Sequence, residues 1–241
     1  MSESIFNKPR AVIASPDIYD EAICNLKNMG IEVLLSCKNQ GVMPALAHHT
    51  DMQITMLTPD IYVSSPECYE YYTELLKEYK IKIRRGNTYL SCNYPGDIAY
   101  NITVTEKIAV HNFKHTDSLV KSMLSGKKCV NVSQGYTACT LCAISDTAFI
   151  TSDAGIYKSL SVEGVDVLLT DDSDILLPGF DHGFIGGSCF MADAKTLAVN
   201  GNIELHSSCK KIKEFCNLHS VSLLSLSRNP VMDIGSFIPV F

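Results

Sequence analysis

The stretch "IYVSSPECYEYYTELLKEYKIKI", residues 61–83, decides how the chain is read. It begins as a short apolar strand, turns at Ser65 and Pro66, continues as an amphipathic helix and ends on a second strand. Tyr72, Leu75, Leu76 and Tyr79 recur at spacings of three and four, which predicts one buried helical stripe. Ser65 is a natural N-cap, and Pro66 has a backbone angle preset for the first helical position. The same unit reads "AVIASPDIYDEAICNLKNMGIEVLLS" from Ala11, with Ser15 and Pro16 in the same places, and "IAVHNFKHTDSLVKSMLSGKKCVNV" from Ile108. It recurs as "AFITSDAGIYKSLSVEGVDVLLT" from Ala148 and as "LAVNGNIELHSSCKKIKEFCNLHSVSLLSL" from Leu197. Thr116 or Asp117 caps the third helix and Ser152 or Asp153 the fourth, while Gly30, Gly126 and Gly164 mark helix ends. Five copies about 40 to 50 residues apart make this a repeat protein.

Between the copies lies a further segment. In "DMQITM", residues 51–56, Asp51, Gln53 and Thr55 alternate with Met52, Ile54 and Met56; in "DIAYNI", residues 97–102, the same alternation follows Asp97. Alternation at period two predicts a strand with one polar and one apolar face. Corresponding segments are "TACTLCAI" from Thr137, "FIGGSCFM" from Phe184 and "SFIPVF" from Ser236. The first copy lacks this strand and the last ends on it, so pairing of the two would complete a fifth module and close a ring without an exposed edge. The expected fold is α/β: a five-module pseudosymmetric propeller of ββαβ repeats, closed by N- and C-terminal strands, forming a single domain over residues 1–241. The competing architecture is a doubly wound α/β sheet, which does not account for the extra strand in each module.

Composition narrows the function. The chain has 241 residues, 46% of them apolar, and a net charge of −6. The longest cationic cluster, "KIKIRRG" at 80–86, reads as a strand end, so nucleic acid is not an expected partner. No segment has the length and apolarity of a signal peptide or a membrane span, which predicts a soluble, cytoplasmic protein with no membrane partner. Ten scattered cysteines fit small buried hydrophobes better than a disulfide framework. No feature assigns an oligomeric state.

The module order, strand pair through helix to strand, resembles the pentein superfamily of guanidine-modifying enzymes over nearly the whole chain. The resemblance implies a small polar substrate, guanidino or amidino in character, bound in a central channel. Penteins carry an early carboxylate, a later acid/base histidine often written G-H-x-D, and a nucleophilic cysteine in the last module. By position, Asp51 in "HHTDMQ" is similar to the carboxylate and His182 in "DHGF" to the histidine. Phe184 stands where a guanidinium-binding aspartate would be, and "MDIGSFIPVF" at 232–241 has no cysteine, Ser236 being nearest to that place. A serine needs an adjacent base to attack near neutral pH. The expected catalytic set is His182, Asp51, Ser236 and Cys189, with His49, Asp97 and Phe184 binding substrate, giving an enzyme of the amidinohydrolase or deiminase kind. The alternative is a non-catalytic pentein acting as a binding or interaction protein.

Each residue also has a plain structural reading. His182 could satisfy backbone groups at a turn, and Cys189 could be a packed thiol, reaching His182 only if Gly186 and Gly187 fold the chain back. His49 and Asp51, two apart on one face, could share a ligand, a proton or a metal, or simply orient each other at a strand mouth. Asp97 could face the channel or end a turn. Asp171, Asp172 and Asp174 read as a solvated loop or a cation site. On a strand, the sulfurs of "CTLC" at 139–142 point to opposite faces, and no second such pair completes a zinc site, so no metal is expected. "GFIGGS" at 183–188 lacks the lysine of a phosphate loop and the order of a dinucleotide fingerprint, so no cofactor is expected.

Overall fold

In the computed structural model, which describes residues 4–241, the repeats become five three-stranded sheets. The N-terminal unit contributes β1 (Ala11–Ala14), α1 (Asp20–Asn28) and β2 (Glu32–Leu35). The second module is a one-turn helix α2 (Thr50–Gln53), then β3 (Ile54–Thr58), β4 (Ile61–Ser64), α3 (Tyr69–Leu75) and β5 (Lys82–Arg85). The third is β6 (Thr103–Val104), β7 (Ile108–His111), α4 (Ser118–Ser122) and β8 (Lys128–Asn131). The fourth is α5 (Thr137–Thr140), β9 (Leu141–Ser145), β10 (Ala148–Thr151), α6 (Ala154–Val162) and β11 (Asp166–Leu169). The fifth is α7 (Ile185–Ser188), β12 (Cys189–Asp193), β13 (Thr196–Val199), α8 (Cys209–Leu218) and β14 (Ser222–Ser225), followed by β15 (Ile238–Val240).

Every sheet has the same construction. The middle strand pairs antiparallel with the strand before it and parallel with the strand after the helix, as β4 does with β3 and β5. Middle strands are buried over almost their whole length, which is why AVIA, IAVH and AFIT are continuous apolar runs and not alternating ones. The helices pack between neighbouring modules. Ile156 and Leu160 of α6, for instance, share one apolar cluster with Phe149 of their own sheet and with Val110 and Val130 of the preceding one. The N-terminal sheet has the order β15-β1-β2: β15 pairs antiparallel with β1, Ala11 opposite Val240 and Ile13 opposite Ile238, and Arg10 N donates to Val240 O at 2.8 Å. The expected ring closure is present.

Two local expectations need correction. The inner segments at 51, 137 and 184 are not uninterrupted strands: each opens with a single helical turn before the strand proper, and in the third module residues 97–102 are irregular ahead of a two-residue strand. A four-residue turn is too short for the 3.6 period to show, so polar and apolar residues merely appear to alternate. Asp117 and Asp153 do cap α4 and α6, their carboxylates accepting backbone N–H bonds, but α1 and α3 begin at Asp20 and Tyr69, three or more residues beyond the Ser-Pro pairs, which form the preceding turns. No helix among the described residues is long and apolar enough to cross a membrane.

Candidate functional site

Five short segments meet at the centre of the ring: α2, residues 97–102, α5, α7 and residues 233–237. Backbone bonds join them across modules, with Asp51 N donating to Gly235 O and both Ile234 N and Ser236 N donating to Gly187 O, each at 3.0 Å. Two glycines are required by close approach. A Cβ on Gly187 would lie 1.9 Å from Asp233 Oδ1, and one on Gly235, where φ is +74°, would lie 2.3 Å from His49 Cβ. These contacts hold His49 and Asp233 in place.

A chain of polar contacts runs through the centre. Cys139 Sγ donates to Asp51 Oδ2 at 2.9 Å, and Asn101 Nδ2 lies 3.2 Å from the same sulfur. Ser236 Oγ, on a residue with φ of +65°, sits 2.6 Å from Asp51 Oδ2 and also within reach of the Gly186 and Ala138 carbonyls. His49, Asp51 and Cys139 are all buried, and one potential ligand atom from each lies within 4.8 Å of the others. Burial, reinforced by the charge of Asp51, pushes the Cys139 thiol well above its ordinary range, so it is a protonated donor near neutral pH. Burial lowers the His49 imidazole below its usual value, despite the opposing pull of Asp51, and keeps it neutral.

Beside this cluster opens a cavity of about 420 Å³. His49, Met52 and Cys139 line it from the axis; Asp97, Asp181 and Asp233 supply carboxyl groups; Tyr94, Tyr136, Phe180, His182 and Phe184 supply rings. Among the described residues that line it there is no lysine or arginine. Asp97 is buried, its Oδ2 accepting from the Tyr136 hydroxyl at 2.7 Å, while Oδ1 has no partner among the described residues. Asp233 accepts backbone N–H bonds from Phe184 and Gly235, yet burial and the nearby Asp51 charge raise its carboxyl to about 8. His182 is half-buried at the mouth. Its Nδ1 is 2.9 Å from Gly183 O, a contact in which Nδ1–H donates and Nε2 is left available, and its ring meets Phe184 edge to face.

Of the residues expected from sequence, His49, Asp97, His182 and Phe184 line one cavity, and Asp51 touches it through Cys139. Ser236 and Cys189 do not line it. Both border a groove elsewhere, and the Cys189 thiol donates to Ile185 O within an apolar cluster that includes Cys142 and Cys216. Gly186 and Gly187 do turn the chain, but this thiol goes to the core and not to His182. Cys139 and Cys142 part as anticipated, though because Cys139 lies in the helical turn α5 and Cys142 on the strand β9, and not because both lie on a strand. Asp172 is buried and structural, its two oxygens accepting from Thr170 Oγ1 and Ile185 N, which corrects the solvated-loop reading. Asp233 and Tyr136 are not among the expected site residues, nor is Asn101, and Cys139 enters the sequence reading only as half of "CTLC", set aside as a metal pair. The available signal was positional: Cys139 falls in the inner segment of its repeat, as Asp51 does in its own.

Comparison with known proteins agrees with this architecture. A model of DUF6873, a family of unknown function, matches residues 13–238. No curated protein matches the chain. Among solved structures, the amidinotransferase SxtG from Microseira wollei, of the saxitoxin biosynthetic pathway, is similar at 10% identity and a TM-score of 0.60, over 97% of this chain and 96% of its own. Agmatine deiminase from C. jejuni is similar at 10% identity and 0.59, over 100% and 95%. DDAH from Pseudomonas aeruginosa, complexed with citrulline, is similar at 6% identity and 0.56, over 91% and 92%. At these identities the likeness establishes the fold, which is the five-module pentein fold that the repeats resemble.

Proposed function

This chain belongs to the DUF6873 family, and we propose that it binds a small guanidino or amidino cation in the axial cavity. The observation that carries this reading is Asp97, a buried carboxylate on the cavity wall with one oxygen unpartnered among the described residues. Leaving such a group unpaired costs about 1–3 kcal/mol or more, and a planar cation offering parallel N–H groups is its natural complement. The cavity has the size of a small-molecule site. The rings at its mouth suit a flat cation, which can stack on Tyr94 or Phe180 while its edge meets the carboxylates. The enzymes with the same fold act, by their names, on guanidino or amidino groups, which agrees with the reading.

A second reading, turnover, is favoured by the convergence of the Cys139 thiol with His49 and Asp51. In it the thiol proton passes to an imidazole, sulfur adds to the central guanidino carbon, and ammonia leaves carrying a proton; water then releases a ureido product and restores the thiol. His182 at the mouth would serve as the acid/base toward the leaving group. The raised Cys139 thiol argues for placing binding first, because little thiolate exists before a cation arrives.

One experiment separates the readings. Calorimetric titration with arginine, agmatine and methylated arginines is expected to show binding that falls at least about tenfold in Asp97→Asn, the cost of removing one charge from a buried pair. Ureido product or ammonia formed by the wild type and lost in Cys139→Ser would establish turnover. Binding of none of these cations would remove both readings.

A further inference from the structure

We propose that His49, Asp51 and Cys139 form a three-ligand site for a divalent transition metal of the zinc class, with the fourth coordination position open to the axial cavity. The proposal stands on the cluster itself and does not use Asp97 or the cation reading of the cavity. The three residues supply an imidazole nitrogen, a carboxylate oxygen and a sulfur, mutually within 4.8 Å, and are 3%, 1% and 6% exposed. Four-coordinate bonds of about 2.0–2.3 Å place ligands about 3.5 Å apart, so the widest separation in the trio closes by about an ångström while Cys139 Sγ and Asp51, in hydrogen-bond contact at 2.9 Å, open slightly as the thiol proton leaves.

The protein-only hydrogen bonding leaves this cluster incomplete. His49 Nδ1 and Asp51 Oδ1 are both buried without a partner among the described residues, a pairing of orphans that ordinary core polar groups avoid. A metal ion at the centre would take one ligand atom from each of the three residues. The surroundings also have the form of an outer shell: Ser236 Oγ at 2.6 Å holds the second oxygen of Asp51, and Asn101 Nδ2 at 3.2 Å points at Cys139 Sγ, where it would stabilise a thiolate. A mixed sulfur, nitrogen and oxygen set favours zinc or cobalt over magnesium or calcium, which require oxygen ligands. Because His49 and Cys139 also line the cavity, the ion has an entry path and a place for water or a small ligand. Binding exchanges the thiol proton for the metal: the S–H bond breaks, the proton leaves to solvent, and a metal–sulfur bond forms with no change of oxidation state.

The test is a titration of the full chain with cobalt(II). The expected result is one equivalent bound, with visible ligand-field bands of a four-coordinate ion and a thiolate-to-cobalt charge-transfer band. Cys139→Ser abolishes the charge-transfer band, His49→Gln and Asp51→Asn weaken binding by more than the roughly 10–100-fold typical of losing an outer-shell partner, and Cys92→Ser, which removes an exposed thiol at the cavity wall, leaves the spectrum unchanged. Absence of the band in the wild type, or a band that survives Cys139→Ser, overturns the site. Circular dichroism checks that each variant folds. Cadmium-113 resonance of the wild-type complex needs no variant: a shift typical of one sulfur with nitrogen and oxygen donors is expected, and an all-oxygen shift overturns the assignment.

Discussion

Asp233 is a carboxyl group raised to about 8, first by burial and then by the charge of Asp51. At neutral pH it is therefore mostly protonated, although it stands on the wall of a cavity read as a cation site. A guanidino cation favours the ionised form, so binding expels a proton at any pH below about 8. The affinity for agmatine should rise with pH through that value and level off above it, and Asp233→Asn should flatten the rise; titrations from about pH 6 to about pH 9 read both. An affinity independent of pH in the wild type would place the cation away from Asp233. At this scale the sequence showed what its polar residues could show. Asp97 and Phe184 stood in inner segments of the repeat, His49 and His182 two residues ahead of such segments, and all four line the cavity. Asp233 was hidden because its place is made by a turn at Gly235 and by the absence of a side chain on Gly187, neither of which leaves a period in the sequence.

Among the elements, α4 shows how one side chain can join two modules. Asp117 Oδ1 accepts from Leu119 N and Val120 N at the helix start, while Oδ2 accepts from Asn87 N, Thr88 N and Thr88 Oγ1, each at 2.8 Å, in the loop that leaves β5. Burial raises this carboxyl, but the surrounding donors outweigh burial and hold it below its ordinary value. Replacing it with alanine removes a cap worth about 1 kcal/mol and strands several partly buried donors. Asp117→Ala should cost about 3 kcal/mol and lower Tm by roughly 5–10 °C, and Asp117→Asn, which keeps an acceptor, should recover part of it; thermal melts check both. This cap was legible because Asp followed by an apolar helical pattern has a local cause. The one-turn helices α2, α5 and α7 were not legible, since four residues carry too little pattern to separate a turn from a strand, and the reading of "CTLC" as one strand hid Cys139 from the site.

Across the whole molecule, β15 holds the ring shut. Its Ile238 and Val240 are buried, its backbone pairs with β1, it lies against β3, and the Tyr62 hydroxyl donates to Pro239 O at 2.5 Å. The strand thus joins the first sheet to the second module, and its loss would expose the edge of β1 together with apolar side chains from two modules. Each buried aliphatic side chain lost is worth about 2–5 kcal/mol, so the sum is comparable with the roughly 5–15 kcal/mol that holds an ordinary domain folded. A chain cut after Phe237 should therefore unfold at a much lower urea concentration than the parent or fail to fold, which urea titrations followed by circular dichroism check. The closure depends on the strand's position and not on its being the end of the chain. A circular permutant that links Phe241 to Ser4 through a short loop, keeping the buried Ile5 and the core-packed Phe6, and opens the exposed turn between Ser125 and Gly126 keeps every sheet intact, and should unfold within about 1–2 kcal/mol of the parent, a modest cost for opening a surface turn. If the cut chain melts like the parent, β15 does not hold the ring shut; if the permutant fails as the cut chain does, a permutant opened at Gly164 distinguishes damage from the break at Ser125, which leaves the second permutant stable, from a closure that needs the strand at a chain end, which does not.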